Sequence, residues 1–148
     1  MTLQESAACI FCKIVRQEAP ASVVDEDADT FAFMDIHPVN TGHVLVIPKQ
    51  HAANLAELPP ELGAQLFKKG MVVAAALRRS GLRCEGVNFL LADGKAAGQV
   101  VFHVHLHVFP RFEGDGIRPR RGIQQGNTAE RSELDAAAAK IRAAIDRQ

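Results

Sequence analysis

HVHLHVFPR, residues 103–111, sets three histidines at every second position of an otherwise apolar run. In a strand, successive side chains point to opposite faces. His103, His105 and His107 then share one face, while Val104, Leu106 and Val108 share the other. One face packs, and the other is free to react.

Working outward, VNFLLADG (87–94) reads as a strand entering the Gly/Ala-rich loop DGKAAGQ, which leads into the histidine run. PELGAQLFKKGMVVAAALRRSG (60–81) carries Leu62, Leu66, Val73 and Leu77 at helical spacing, with Pro60 suited to a first turn and Gly81 to a stop. Gly70 inside it weakens the helix. CIFCKIV (9–15) reads as a short helical turn and EAPAS as a loop. SVVDE (22–26), TFAFMDI (30–36) and HVLVIP (43–48) read as strands, the last ending at Pro48. Beyond Glu113 the chain is rich in Gly, Arg and Gln, and a loop or tail is expected over 116–131. A last helix is expected over 132–147, started by Ser132 with Asp135 as its capping partner and striped by Leu134, Ala138, Ile141 and Ile145. The sum is an α+β fold: a mainly antiparallel five-stranded sheet with one long helix, a short N-terminal helix and a C-terminal helix.

At 148 residues the chain fits one domain, expected over 1–148 with its core at 8–115, large enough to bury a core without disulfides. Its 17 basic and 17 acidic residues cancel, which argues against nucleic acid or an anionic membrane as partner and favours a small molecule. No apolar run reaches the length of a membrane span, and Glu5 and Lys13 interrupt the N-terminus, so a cytoplasmic protein is expected. Three cysteines include the close pair Cys9 and Cys12, which points to metal or redox chemistry; Cys84 reads as a small apolar residue.

Three chemistries compete for the histidine row. An exposed polar strand face suffices for one or two histidines, but here three of the six in the chain alternate strictly. A metal site is possible, because same-face neighbours stand about 6.5–7 Å apart and two imidazoles can reach one ion. Nucleophilic catalysis is the third reading, since a neutral imidazole attacks phosphorus near neutral pH and a covalent adduct splits one hard displacement into two easier ones. No GxxxxGK[ST] loop is present, so a phosphate site must be built another way.

HVHLHVF matches the HφHφHφφ signature (φ apolar) of the histidine triad superfamily. CIFCKIV, FAFMDIHPVNTGHVLVIPKQH and GVNFLLADGKAAGQVVFHVHLHVFPR also resemble segments of that family, in its order, so the resemblance spans roughly residues 8–115. It implies the family's α+β fold, a homodimer, and hydrolysis or transfer of nucleoside monophosphates through a nucleotidyl-histidine. On that resemblance His105 is the nucleophile, His107 contacts the phosphate, His103 holds neighbouring structure or binds metal, and His43 supports the triad. Asp35 matches the ribose-binding acid, and Phe11, Ile14, Phe33 and Ile36 match walls of the base pocket. Gln99 matches a glutamine that meets the bridging or leaving-group oxygen, and Asn88 an asparagine near the phosphate. Val100 departs from the pattern, since many members carry Ser or Thr there; only its backbone N–H could serve. The resemblance implies a purine substrate, an AMP or GMP derivative that is either a phosphoramidate or a dinucleoside polyphosphate, and VFPRF resembles the diadenosine-polyphosphate and bacterial branches.

CIFC lacks the strand-then-helix setting of thioredoxin-like redox pairs. In zinc-binding branches of the superfamily the other ligands resemble His51 and His103, so the resemblance implies a structural Cys₂His₂ zinc on Cys9, Cys12, His51 and His103. Two other classes remain beside the hydrolase. A nucleotide-binding regulatory module with vestigial catalysis would show no covalent intermediate, and a metallohydrolase with its ion on the three histidines would lose activity to chelators.

Overall fold

TFAFM and VLVIP are buried at every position, and this decides the layering. They form β2 (Thr30–Met34) and β3 (Val44–Pro48) in a five-stranded sheet with β1 (Val23–Glu26), β4 (Gly86–Leu90) and β5 (Leu106–Arg111). The computed structural model describes residues 7–118 and 127–146, so part of the loop expected over 116–131 and the end of the expected last helix lie outside the described residues. The sheet order is β1-β2-β3-β5-β4 and every pair is antiparallel.

One face of the sheet, with Ala32, Met34, Val44, Val46, Leu106 and Val108, packs on helices α2 (Pro60–Arg79) and α3 (Arg131–Ala143). The other face presents Phe31, Phe33, Leu45 and Ile47 to Phe11 and Ile14 of the short helix α1 (Ile10–Val15). Central strands covered on both faces read as continuous apolar runs instead of alternating ones. Among the described residues, no helix is long and apolar enough to cross a membrane.

Gly70 has a packing reason. A Cβ there would meet Phe89 Cε2 at 2.9 Å and Leu106 Cδ2 at 3.0 Å, so the glycine lets α2 approach β4 and β5.

Several boundaries differ from the sequence expectation. β5 starts at Leu106, not at His103. The piece ahead of it is tied to the loop after β3, where the Val104 N–H donates to the Ala52 carbonyl at 2.9 Å. The face alternation persists nonetheless, because Val104 lies in the helix-side core with Leu106 and Val108. β2 stops at Met34 because the Asp35 carboxylate accepts the His37 N–H at 2.8 Å and begins a turn. β4 spans Gly86–Leu90 instead of running to 94.

The last helix starts at Arg131 and ends at Ala143, not 132–147, and Glu130 at its N-cap makes no side-chain capping bond. Asp135 is not a capping partner of Ser132: its carboxylate accepts the Ser22 hydroxyl at 2.6 Å. Arg131 donates to the same hydroxyl oxygen at 2.8 Å, and Arg142 donates to the Val23 carbonyl at 2.6 Å. Docking on β1 has taken the residues that local capping would use.

Candidate active site

The histidine run lies on the α1 side of the sheet, and backbone groups fix which nitrogen of each imidazole carries the proton. His105 Nδ1 lies 2.7 Å from the His103 carbonyl, which can only accept, so Nδ1 is the protonated nitrogen and Nε2 keeps its lone pair. Burial lowers the His105 pKa, opposed by that carbonyl and by the Asp35 charge. Phe11 stands edge-on to the ring, with centroids 5.2 Å apart. The result is a neutral, oriented imidazole whose Nε2 keeps a lone pair with no hydrogen-bond partner among the described residues.

His107 is fixed in the opposite sense. The Val39 N–H donates to His43 Nδ1 at 3.1 Å, so His43 carries its proton on Nε2. That nitrogen lies 2.9 Å from His107 Nδ1 and donates to it, which leaves the His107 proton on Nε2 as a donor. The Asp35 carboxylate flanks the pair, 3.4 Å from His43 Nε2 and 3.8 Å from His107 Nδ1. Burial raises the Asp35 pKa, countered by the His37 N–H bond and by the His37 and His105 charges. An acceptor nitrogen and a donor N–H therefore stand side by side on His105 and His107, whose ring centroids are 5.0 Å apart.

The same burial makes a prediction for stability. His43 is pushed down to about 3 by burial and then by His107 and His105, and His107 to about 4 by burial and then by His105. Unfolded histidines protonate near 6.5, so below that pH the unfolded state takes up protons that these two sites refuse until about pH 4 and pH 3. Stability is thus fully present above about pH 6.5 and falls below it, each site contributing up to about 1.4 kcal/mol per pH unit. Urea titrations at pH 7 and pH 5 should show this loss; a free energy of unfolding equal at both would contradict it.

A second cluster joins α1 to the start of the histidine run. Cys9 Sγ lies 3.4 Å from His103 Nδ1, and Cys12 Sγ lies 3.2 Å from His51 Nδ1 and 3.6 Å from His103 Nδ1. The two Nδ1 atoms are 3.2 Å apart. His103 Nε2 donates to the Pro48 carbonyl at 2.8 Å, so Nδ1 presents a lone pair to the sulfurs. Two thiols and two imidazole nitrogens, all within 4.8 Å of one another, are the donor set and spacing of a tetrahedral metal site.

Asp35, His43 and His107 also lie within that spacing, but the tautomer argument separates the two groups. His43 Nε2 is protonated because the Val39 N–H occupies Nδ1, so it cannot be a ligand without losing that bond. The two histidines form a hydrogen-bonded pair, and the Asp35 carboxylate flanks it.

The other sequence candidates are placed unevenly. Phe11, Ile14 and Phe33 are buried together, with Phe11 on Phe33 at 5.4 Å, whereas Ile36 is 45 % exposed. Gln99 is buried, with its amide turned to backbone groups of two loops, and Val100 is 72 % exposed. Asn88 is bound by Arg111 at 2.7 Å. Arg111 also pairs with Asp115 at 2.7 Å, and Asn40 donates to the same carboxylate at 3.0 Å. These bonds hold the Asp115 carboxyl well below the usual carboxylate range. Missed from the sequence are the Val39 N–H and the Pro48 carbonyl, which as backbone groups carry no residue-type signal. Also missed is the return of the C-terminal segment, where the Ala129 N–H donates to the Ile36 carbonyl at 2.9 Å and Thr128 Oγ1 lies 3.3 Å from His37 Nδ1.

Residues 16–114 match the HIT domain family. The chain belongs to the HIT family. Of the four residues in the sulfur cluster, His51 and His103 lie within the matched segment and Cys9 and Cys12 lie ahead of it. Among solved structures, a zinc-bound histidine triad family protein from Mycobacterium smegmatis superposes with a TM-score of 0.83 at 40 % identity, covering 94 % of each chain. Among curated HIT relatives, the adenosine 5′-monophosphoramidase of Candida albicans is 36 % identical over 132 residues, 87 % of this chain and 84 % of its own length. The adenylylsulfatase of Arabidopsis thaliana is 40 % identical over 114 residues, 77 % of this chain and 56 % of its own length.

Proposed function

We propose that this HIT protein is a hydrolase that transfers a purine nucleoside monophosphoryl group from a phosphoramidate or a dinucleoside polyphosphate to His105 and then to water. The observation that carries the reading is the pair of opposite tautomers: His105 offers a free Nε2 lone pair beside a His107 Nε2–H donor. His105 Nε2 attacks phosphorus and the P–N or P–O bond breaks, its electron pair leaving with the amine, which takes up a proton from solvent, or with the nucleoside phosphate; the attacking water of the second step returns a proton to solvent. The His107 N–H meets the negative charge that develops on the phosphoryl oxygens. Positive charge on the substituted His105 ring is stabilised by the His103 carbonyl and by Asp35. Water then attacks phosphorus, the N–P bond breaks and His105 is regenerated.

Asp35 accepts the ribose hydroxyls in this reading, and the base lies against Ile36 beside Phe11, Ile14 and Phe33. The two named relatives support an adenylyl donor, since one is a phosphoramidase and the other an adenylylsulfatase. Cys9, Cys12, His51 and His103 would hold zinc, which when bound supplies a structural cross-link between α1 and the catalytic segment. AMP or GMP release from adenosine and guanosine phosphoramidates and diadenosine polyphosphates, assayed side by side, tests the function; a purified protein that cleaves none of them refutes it.

The proposal includes a homodimer through the β4 side of the sheet. β4 is an edge strand with a single neighbour, and beside it α2 exposes Phe67 (56 %) and Met71 (58 %), with Phe67 5.3 Å from Phe89 of β4. Unpaired strand edges and clustered exposed apolar side chains are surfaces that a second copy can cover. Light scattering should give twice the 16.0 kDa chain mass, falling to one chain mass in the Phe67→Glu/Met71→Glu variant. A monomeric wild type would contradict this interface.

A further inference from the structure

Gln99 is 3 % exposed, and both N–H groups and the oxygen of its side-chain amide each have a partner. Oε1 accepts the Gly94 N–H at 2.8 Å, and Nε2 donates to the Ala53 carbonyl at 2.6 Å and the Val101 carbonyl at 3.1 Å. The partners settle the orientation of the amide, because a backbone N–H cannot face the NH₂ group and a carbonyl cannot face Oε1.

The engaged groups join two loops. Ala53 follows His51 by two residues, and Ala52 between them accepts the Val104 N–H at 2.9 Å, from the residue separating His103 and His105. Asp93 adds a second tie, accepting the Leu55 N–H at 2.9 Å. On the other side, Gln99 closes the turn at Lys95–Ala97, which is flanked by Gly94 at φ +96° and Gly98 at φ +95°. One buried side chain therefore spans the loop that carries His51 and the loop that leads into the histidine run. Turning the amide toward a ligand would strip two part-buried carbonyls and one part-buried N–H of their partner, so the bonded orientation is favoured.

We propose that Gln99 is a positioning residue: it latches the His51 loop to the segment that carries His103 and His105, and it does not touch the leaving group. The proposal rests on the hydrolase reading for its kinetic consequence and on the structure alone for its mechanical one. Losing the latch frees the loop at residues 52 and 53, loosens the Val104 bond and slows the transfer step by a factor that is the same for every leaving group.

The experiment compares wild type with Gln99→Glu, which keeps the shape and the acceptor for the Gly94 N–H but sets an oxygen against the two carbonyls. Amide exchange at Val104, read by NMR, should accelerate by about tenfold or more, the scale of one lost buried hydrogen bond. Turnover of adenosine phosphoramidates with aryl amine and alkyl amine leaving groups should fall by one common factor. Unchanged exchange with a larger loss on the alkyl amine would overturn the proposal and make Gln99 a leaving-group contact. If Gln99→Glu does not fold, Gln99→Met, which keeps the side-chain length and removes all three bonds without adding a charge, is judged by the same exchange, where acceleration supports the latch and no change rejects it. A wild type that cleaves neither phosphoramidates nor diadenosine polyphosphates removes the hydrolase reading, and the exchange result then decides the latch alone.

Discussion

Replacing His105 by glycine should abolish turnover, by about 10³-fold or more, while leaving nucleotide affinity within a few-fold of wild type. The expectation follows from geometry. His105 Nδ1 is committed to the His103 carbonyl at 2.7 Å, and Nε2 has no hydrogen-bond partner among the described residues, which leaves it for a ligand. The glycine variant also opens a cavity beside Phe11, whose ring stands 5.2 Å from the imidazole, and millimolar free imidazole entering it should restore part of the rate. Steady-state kinetics with and without imidazole reads both effects. His107→Ala should cost less, about 10²-fold, because it removes one donor to the phosphoryl oxygens and leaves the nucleophile in place. A His105→Gly rate near wild type would end the nucleophile assignment.

The second large effect concerns the sulfur cluster. Protein purified without chelator should contain one zinc per chain, and Cys12→Ser should lose it, because Cys12 Sγ stands within 3.2 Å of His51 Nδ1 and 3.6 Å of His103 Nδ1 and is the buried cysteine of the pair. With free zinc about a thousandfold above Kd, the loss destabilises the fold by about 4 kcal/mol. Turnover should fall as well, since the residue that offers Nδ1 to the metal also offers its carbonyl to His105. Elemental analysis together with thermal denaturation checks this; substoichiometric metal unaffected by Cys9→Ser would exclude the site.

The faces of the histidine run were legible from alternation alone, because Val104, Leu106 and Val108 do enter one core while the histidines face the other side. Where pairing begins was not legible. His103 meets a cysteine 94 residues earlier in the chain, and the adjacent Val104 N–H bonds to the loop after β3 instead of to a strand. The start of α3 failed in the same way. Ser132 and Asp135 make a sound local capping pattern, but Ser22, 113 residues away, takes the Asp135 carboxylate. Gly70, which local propensity counts against a helix, is where α2 needs to pass close to Phe89 and Leu106.

For the site, residue types identified the participants but not their states. Which nitrogen of His43, His103 or His105 carries a proton depends on the Val39 N–H, the Pro48 carbonyl and the His103 carbonyl, and any residue at those positions supplies such a group. The separation of one metal-competent cluster from a hydrogen-bonded histidine pair flanked by a carboxylate follows from those backbone contacts. Gln99 illustrates the converse, a side chain whose type fits a leaving-group contact and whose N–H groups and oxygen are bonded to backbone groups instead.

Covalent transfer to His105 is tested most directly by acid-free quenching of the protein during turnover of an adenosine phosphoramidate, followed by peptide mass spectrometry. The expected result is one adenylyl group on the peptide containing His105, absent from His105→Gly. Hydrolysis that proceeds with no adduct on that peptide, or with an adduct that persists on the glycine variant, would contradict it.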